Sequence, residues 1–162
     1  MTENSRSPAE VAANNFPWAP ILFLAAAAAA WALTRSWPLT WPGLDDAPAH
    51  WIGMGFGVAG VILIASAIKS LVGQGTTVRP DRASTVLVKT GPYAQFRNPI
   101  YLGEVLLLFF AAELTKSAWY VIAGLGFALL VTVLQVMPEE RHLEARFAGA
   151  YLEYKSRTRR WI

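Results

Sequence analysis

The chain contains no cysteine. A disulfide framework, a thiolate metal site and a cysteine nucleophile are therefore all excluded. Charge is scarce as well: Asp, Glu, Lys and Arg make up 15% of 162 residues, against about a quarter in an ordinary soluble domain. Histidine occurs only at His50 and His142, too few for a multi-histidine metal centre. Apolar residues fill the space, at 54%, and they are unevenly spread.

Four runs hold most of them. Pro17 to Thr34 has no charge over 18 residues, about 27 Å as a helix. Trp51 to Leu71 carries only Lys69, Pro99 to Leu114 carries Glu104 and Glu113, and Trp119 to Met137 carries no charge. A bilayer core needs roughly 17 to 25 helical residues, so three runs qualify by length. The Pro99 run qualifies if its polar start reaches the headgroups. A soluble bundle would show an amphipathic stripe, whereas these runs are apolar all round. The expectation is an all-α integral membrane protein with four transmembrane helices, a cytoplasmic loop and a C-terminal amphipathic interfacial helix. Residues 1–16 read as a polar tail, 17–73 as a helical hairpin, and 74–162 as the loop, spans three and four and the last helix.

Ala30-Trp31-Ala32 has the small-x-small form of a signal cleavage site, but the sixteen residues ahead of the run carry one arginine against two glutamates. That is a poor signal n-region, and the run reads as a span. With four spans, both termini and the middle loop share a side. They carry twelve of the fourteen basic residues, leaving Arg35 and Lys116 opposite. The positive-inside rule makes that side cytoplasmic, with the chain in the inner membrane. The net charge of +3 then points to a membrane surface and not to nucleic acid.

The middle loop, Val72 to Asn98, is punctuated by Gly73, Gly75, Pro80, Gly91 and Pro92, and a loop of this length in a small protein suggests function. Within it, Ser84 to Val88 has the β-branched character of a short extended piece. Pro138 is suited to starting a new helix. Beyond it Leu143, Phe147, Tyr151 and Tyr154 share one face, as in an amphipathic helix lying on the interface.

Two motif matches are decoys. Gly55-x-Gly57-x-x-Gly60 has the dinucleotide-binding spacing but lies inside a span rather than at a strand–turn–helix. There, Gly53 and Gly57 suit close helix packing instead. Glu139-x-x-His142 is half of a di-iron pattern with no second copy, so no metal is expected. Glu139 and Glu140 also fit a plain role in the first turn of a helix, opposing its dipole.

GPYAQFRNPIYLGE, Gly91 to Glu104, is harder to dismiss. Pro99 starts a helix and places Asn98 as an N-cap. On one helix Arg97, Tyr101 and Glu104 would share a face, and a carboxylate one turn into a span suggests function or a partner.

LVKTGPYAQFRNPIYLG, followed by PEERHLEARFAGAYLEYKSRTRRW, resembles the isoprenylcysteine carboxyl methyltransferase and phospholipid methyltransferase family, integral membrane enzymes that use S-adenosylmethionine. Leu87, Val88, Gly91, Tyr93, Arg97, Pro99, Tyr101 and Gly103 match its first block. Glu139, Glu140, Leu143, Phe147, Tyr151 and Tyr154 match its second, so the likeness runs from about Gly75 to the C-terminus. It implies cofactor contacts at Thr85, Val86, Leu87, Val88, Tyr93, Asn98, Pro99, Ile100, Tyr101 and Glu140. Glu140 suits the cofactor's cationic end, and tyrosine faces suit adenine or a sulfonium. The reactive head of a lipophilic acceptor would lie near Arg97, Tyr101, Glu104 and Glu139. Three departures stand out: Asn98 replaces a frequent histidine, Ala148 replaces the glycine of a Phe-Gly pair, and Gln135 stands in a stretch where prenylcysteine enzymes carry arginine.

The sequence thus points to a membrane methyltransferase whose acceptor is a prenylcysteine-like carboxylate, a thiol or a phospholipid amine. An NADPH-dependent reductase of the related sterol reductase fold, with Lys89 and Arg97 near a 2′-phosphate, is the alternative. A non-catalytic relative is another.

Overall fold

The computed structural model describes residues 17–40, 46–76 and 86–162. Its helices are α1 (Trp18–Ser36), α2 (Ala47–Gly73), α3 (Pro99–Thr115), α4 (Trp119–Val131) and α5 (Met137–Arg157). A 3₁₀ turn at Gly91–Ala94 precedes α3, and a π turn at Thr132–Val136 joins α4 to α5. Among the described residues there is no strand, only an isolated parallel bridge between Phe96 and Arg159. Val86 to Val88, the described part of the expected extended piece, pairs with nothing as a strand. Thr85 and Ser84 lie outside the described residues.

Three helices are long and apolar enough to cross a membrane: Trp18–Ser36, Ala47–Gly73 and the continuous path Trp119–Arg157. α3, at 17 residues with Glu104 and Glu113, falls short of that standard. The outward faces carry Leu24, Val58, Val61, Ile62, Leu125 and Leu129, all exposed. Such a continuous apolar exterior is what lipid tails require and water does not tolerate.

α3 lies in the middle. α2 packs along one side of it and α4 along the other, with α1 against α4. Small residues make the α2–α3 approach possible. A Cβ at Gly60 would meet the Gly103 carbonyl oxygen at 2.9 Å, and one at Gly57 would meet the Phe110 ring at 2.8 Å. Gly55, the remaining glycine of the false dinucleotide match, faces open space. On the other side, Ala30, Val105, Leu108, Ala112, Tyr120, Phe127 and Val131 form the buried core, where Phe23 meets Phe127 edge-on at 5.9 Å between ring centres.

Two backbone features differ from the sequence-based expectation. Pro138 does not open a separate helix, for α4 runs into α5 through the π turn. A proline ring clashes with the carbonyl four residues back and lacks a donor; widening the preceding turn accommodates both without breaking the rod. The second feature is a break inside α5 at Ala148, with φ 44° and ψ −123°. That region is costly for any residue with a Cβ. The expected unbroken amphipathic helix is instead two segments.

Candidate functional site

The polar residues gather at one end of the bundle, where the C-terminus of α2, the start of α3, the π turn and α5 meet. Arg97 was expected on one helix face with Tyr101 and Glu104. Helix α3 begins only at Pro99, so Arg97 sits in the preceding bend and turns elsewhere. Its Nε donates to Glu140 Oε1 at 2.9 Å, and its Nη1 donates to the carbonyls of Lys155 and Thr158. Tyr101 and Glu104, one turn apart on α3, remain neighbours, and the Tyr101 hydroxyl donates to Glu139 Oε2 at 3.2 Å.

Asn98 occupies the N-cap position of α3, and its carbonyl accepts from Leu102 N at 3.0 Å. Its side chain does not cap. Nδ2 donates instead to the Arg160 carbonyl at 3.0 Å, because the C-terminal tail returns along this segment. Arg97 N donates to Arg159 O at 2.8 Å, and Arg159 N to Gln95 O at 2.9 Å. Tyr154 donates its hydroxyl to Tyr93 O at 2.8 Å, and Trp161 Nε1 reaches Thr132 Oγ1 at 3.2 Å. The tail, the turn before α3 and α5 are therefore stitched into one layer.

Glu140 is the centre of that layer. It is 6% exposed and both carboxylate oxygens are bonded, with Arg160 contributing Nη2 at 2.6 Å and Nε at 3.1 Å beside Arg97. Arg160 is held above its own usual value by the same contacts. Tyr93 is pushed up by burial, then by the charge of Glu139. It stays a neutral phenol.

Glu139, one residue earlier, is in a different position. Its partner is the Tyr101 hydroxyl, and the Gln135 amide lies close by. Around it several buried polar atoms have no hydrogen-bond partner: both amide atoms of Gln135, Glu104 Oε2 and the Tyr151 hydroxyl. Gln135 is fully buried and Tyr151 is 1% exposed. Unmade hydrogen bonds at such depth cost about 1–3 kcal/mol each, which sets this group apart from the fully bonded layer around Glu140.

Val88 is buried, Leu87 half-buried and Val86 exposed. Lys89 next to them lines an open groove with Ala94, Glu153, Tyr154, Arg157 and Thr158. Pro99 is buried and Ile100 half-buried at the head of α3. Among the described residues no three metal-ligating side chains come together.

Residues 48–150 match the phospholipid methyltransferase family. The chain belongs to that family. The matched region starts earlier than the expected Gly75 and takes in nearly all of α2, consistent with the glycine-lined seam that ties α2 to α3. It also stops short of Tyr151, Tyr154 and the returning tail. No curated protein matches the chain.

Membership in a methyltransferase family gives the polar end its chemical context. The motif residues of both sequence blocks, Arg97 and Tyr101 from one and Glu139 and Glu140 from the other, are in direct contact. Two participants had no motif to announce them. Arg160 acts on a carboxylate 20 residues upstream, and no periodicity links a tail to a helix start. Gln135 reads as an isolated amide in an apolar run, and only its burial in the π turn gives it meaning.

Proposed function

We propose that this protein is an integral membrane methyltransferase that uses S-adenosylmethionine and acts on a lipophilic acceptor: a prenylcysteine-like carboxylate, a thiol or a phospholipid amine. The observation that carries this reading is the group of unpaired buried polar atoms on Gln135, Glu104 and Tyr151 beside Glu139, the first two inside the region that matches the family and Tyr151 one residue past its end. Donors, acceptors and tyrosine rings are all present, which suits a ligand with an onium centre and a heteroaromatic ring.

The fourth span is α3, sheltered between α2 and α4 so that its two carboxylates face protein. The end carrying Glu140 and the tail faces the cytoplasm, in keeping with the twelve basic residues assigned there, and both termini lie on that side. The cofactor pocket is formed by Val86 to Val88, Tyr93, the Asn98–Tyr101 turn and Glu140; Thr85, also expected there, lies outside the described residues.

Bound S-adenosylmethionine supplies an electrophilic methyl carbon. The chain supplies position and dryness: Tyr101, Glu104 and Glu139 hold the acceptor's head, while Arg97 fixes Glu140 in place. Holding two reactants in line is worth several kcal/mol of barrier. A carboxylate acceptor needs no base. For an amine or thiol, Glu139 accepts the proton. The reductase reading loses ground because Arg97, one of its two expected phosphate ligands beside Lys89, is spent on Glu140 and two carbonyls.

Calorimetry on the purified protein in detergent tests the proposal, with S-adenosylmethionine titrated in the presence and absence of NADPH. The expected outcome is binding of S-adenosylmethionine that NADPH does not displace and that Glu140→Ala abolishes. Binding of NADPH alone would move the protein to the reductase class.

A further inference from the structure

We infer that Glu140 is a cation-exchange position, in which the Arg160 guanidinium holds the place of a ligand's ammonium group and leaves when that ligand binds. The inference rests on the cofactor reading and names how the site is kept when empty.

The two arginines on Glu140 are not equivalent. Arg97 has an 11% exposed side chain and is anchored twice over, its Nη1 donating to the Lys155 and Thr158 carbonyls while its Nε holds Glu140 Oε1. Removing it would undo the layer. Arg160 has a 39% exposed side chain, and both of its guanidinium bonds go to Glu140. Its backbone stays tied without them: the carbonyl accepts from Asn98 Nδ2, and the neighbouring Arg159 bridges Gln95 and Arg97. The guanidinium can therefore swing into water while the tail remains in place.

The charge count supports an exchange over a simple addition. With Arg97 and Arg160 the Glu140 cluster carries a net +1, so a further cation would meet repulsion. Replacing Arg160 by an α-ammonium keeps the net charge unchanged and preserves both charge-assisted bonds. Arg97 meanwhile holds the carboxylate in the same orientation, so nothing buried is ever left unpaired. A resident competitor lowers the apparent affinity by the fraction of molecules in which it must first leave.

Calorimetry on full-length wild type, Arg160→Ala and Arg160→Lys in detergent tests this, with two probes. S-adenosylmethionine carries the α-ammonium; 5′-methylthioadenosine shares the nucleoside and lacks the amino-acid part. Arg160→Ala is expected to tighten S-adenosylmethionine by about tenfold and to leave 5′-methylthioadenosine unchanged, which also shows that the variant is folded. Arg160→Lys, with the charge but not the planar fork, should fall between. S-adenosylmethionine binding that is unchanged or weaker in Arg160→Ala would overturn the exchange and leave the cofactor reading intact. Equal shifts for both probes would likewise overturn it, since Arg160 would then be shaping the whole pocket. Failure of wild type and both variants to bind either probe would overturn the cofactor reading itself.

Discussion

The two ends of the bundle handle polar groups in opposite ways. At the end away from the tail, Glu113 accepts from His50 Nδ1 at 2.9 Å and from Lys116. Thr34 and Ser117 share a hydrogen bond at 2.7 Å, the Ala118 amide donates to Leu39 O, and Trp119 Nε1 donates to Trp37 O. Apart from Lys116, which closes the end of α3 itself, these contacts tie one helix end to another and latch α1 to α4 and α2 to α3. At the tail end the arginine layer is just as well bonded, but directly beneath it Gln135, Glu104 and Tyr151 keep polar atoms without partners. A fold that pairs its polar groups so fully at one end does not leave them unpaired at the other for want of options. One end is a latch, and the other keeps unpaired polar atoms beside its bonded layer.

If that division holds, damage at the two ends should separate stability from binding. The largest effect belongs to Arg97→Ala, which strips a buried carboxylate of a partner and frees two carbonyls. Breaking a buried pair in this way costs about 3–5 kcal/mol, and both the thermal midpoint in detergent and S-adenosylmethionine binding should fall sharply. Glu113→Gln at the latch should lower the thermal midpoint by less and leave the affinity for S-adenosylmethionine unchanged. A matching loss of affinity there would mean that the ends are coupled and the comparison fails. Ala148→Gly is the smallest change and goes the other way. It releases the strain of a Cβ at φ 44° and should raise stability by about 1 kcal/mol, read as a higher midpoint with binding unaltered.

Much of the fold was legible because long apolar runs carry one meaning in a chain with so few charges. The existence of α1 and α2, and the close helix approach at Gly53 and Gly57, follow from composition and spacing alone, whereas Gly60 joins that seam only in the structure. The contacts of the site were legible only in part. Tyr101 with Glu139 was anticipated as a neighbourhood, and the structure supplies the bond. Arg97 went astray because a helical periodicity was extended one turn before Pro99, where no helix exists. The cap at Asn98 failed for a tertiary reason: the returning tail offers its side chain a carbonyl, which outcompetes the local bond. Lys116 is a similar case. It closes α3 in the left-handed conformation at φ 52°, a place where sequence rules look for glycine; its side-chain contact with Glu113 helps offset the strain.

The π turn at Thr132–Val136 has a further consequence for how the last helix is phased. Each residue of an α-helix advances the side chains by about 100°, so a turn that closes over one extra residue acts as a phase shifter within a continuous rod. Upstream of it, α4 is set for its role among lipids and helices, with Phe127 and Val131 turned to the core and Leu125 and Leu129 turned out. Downstream, the reset phase brings Glu139 to Tyr101 and Glu140 to Arg97. Deleting any one residue of that turn would leave both halves helical and apolar, yet rotate the whole acidic end by roughly a quarter-turn and point its carboxylates past their partners. The register of these acidic contacts is thus written in a single surplus residue of the π turn.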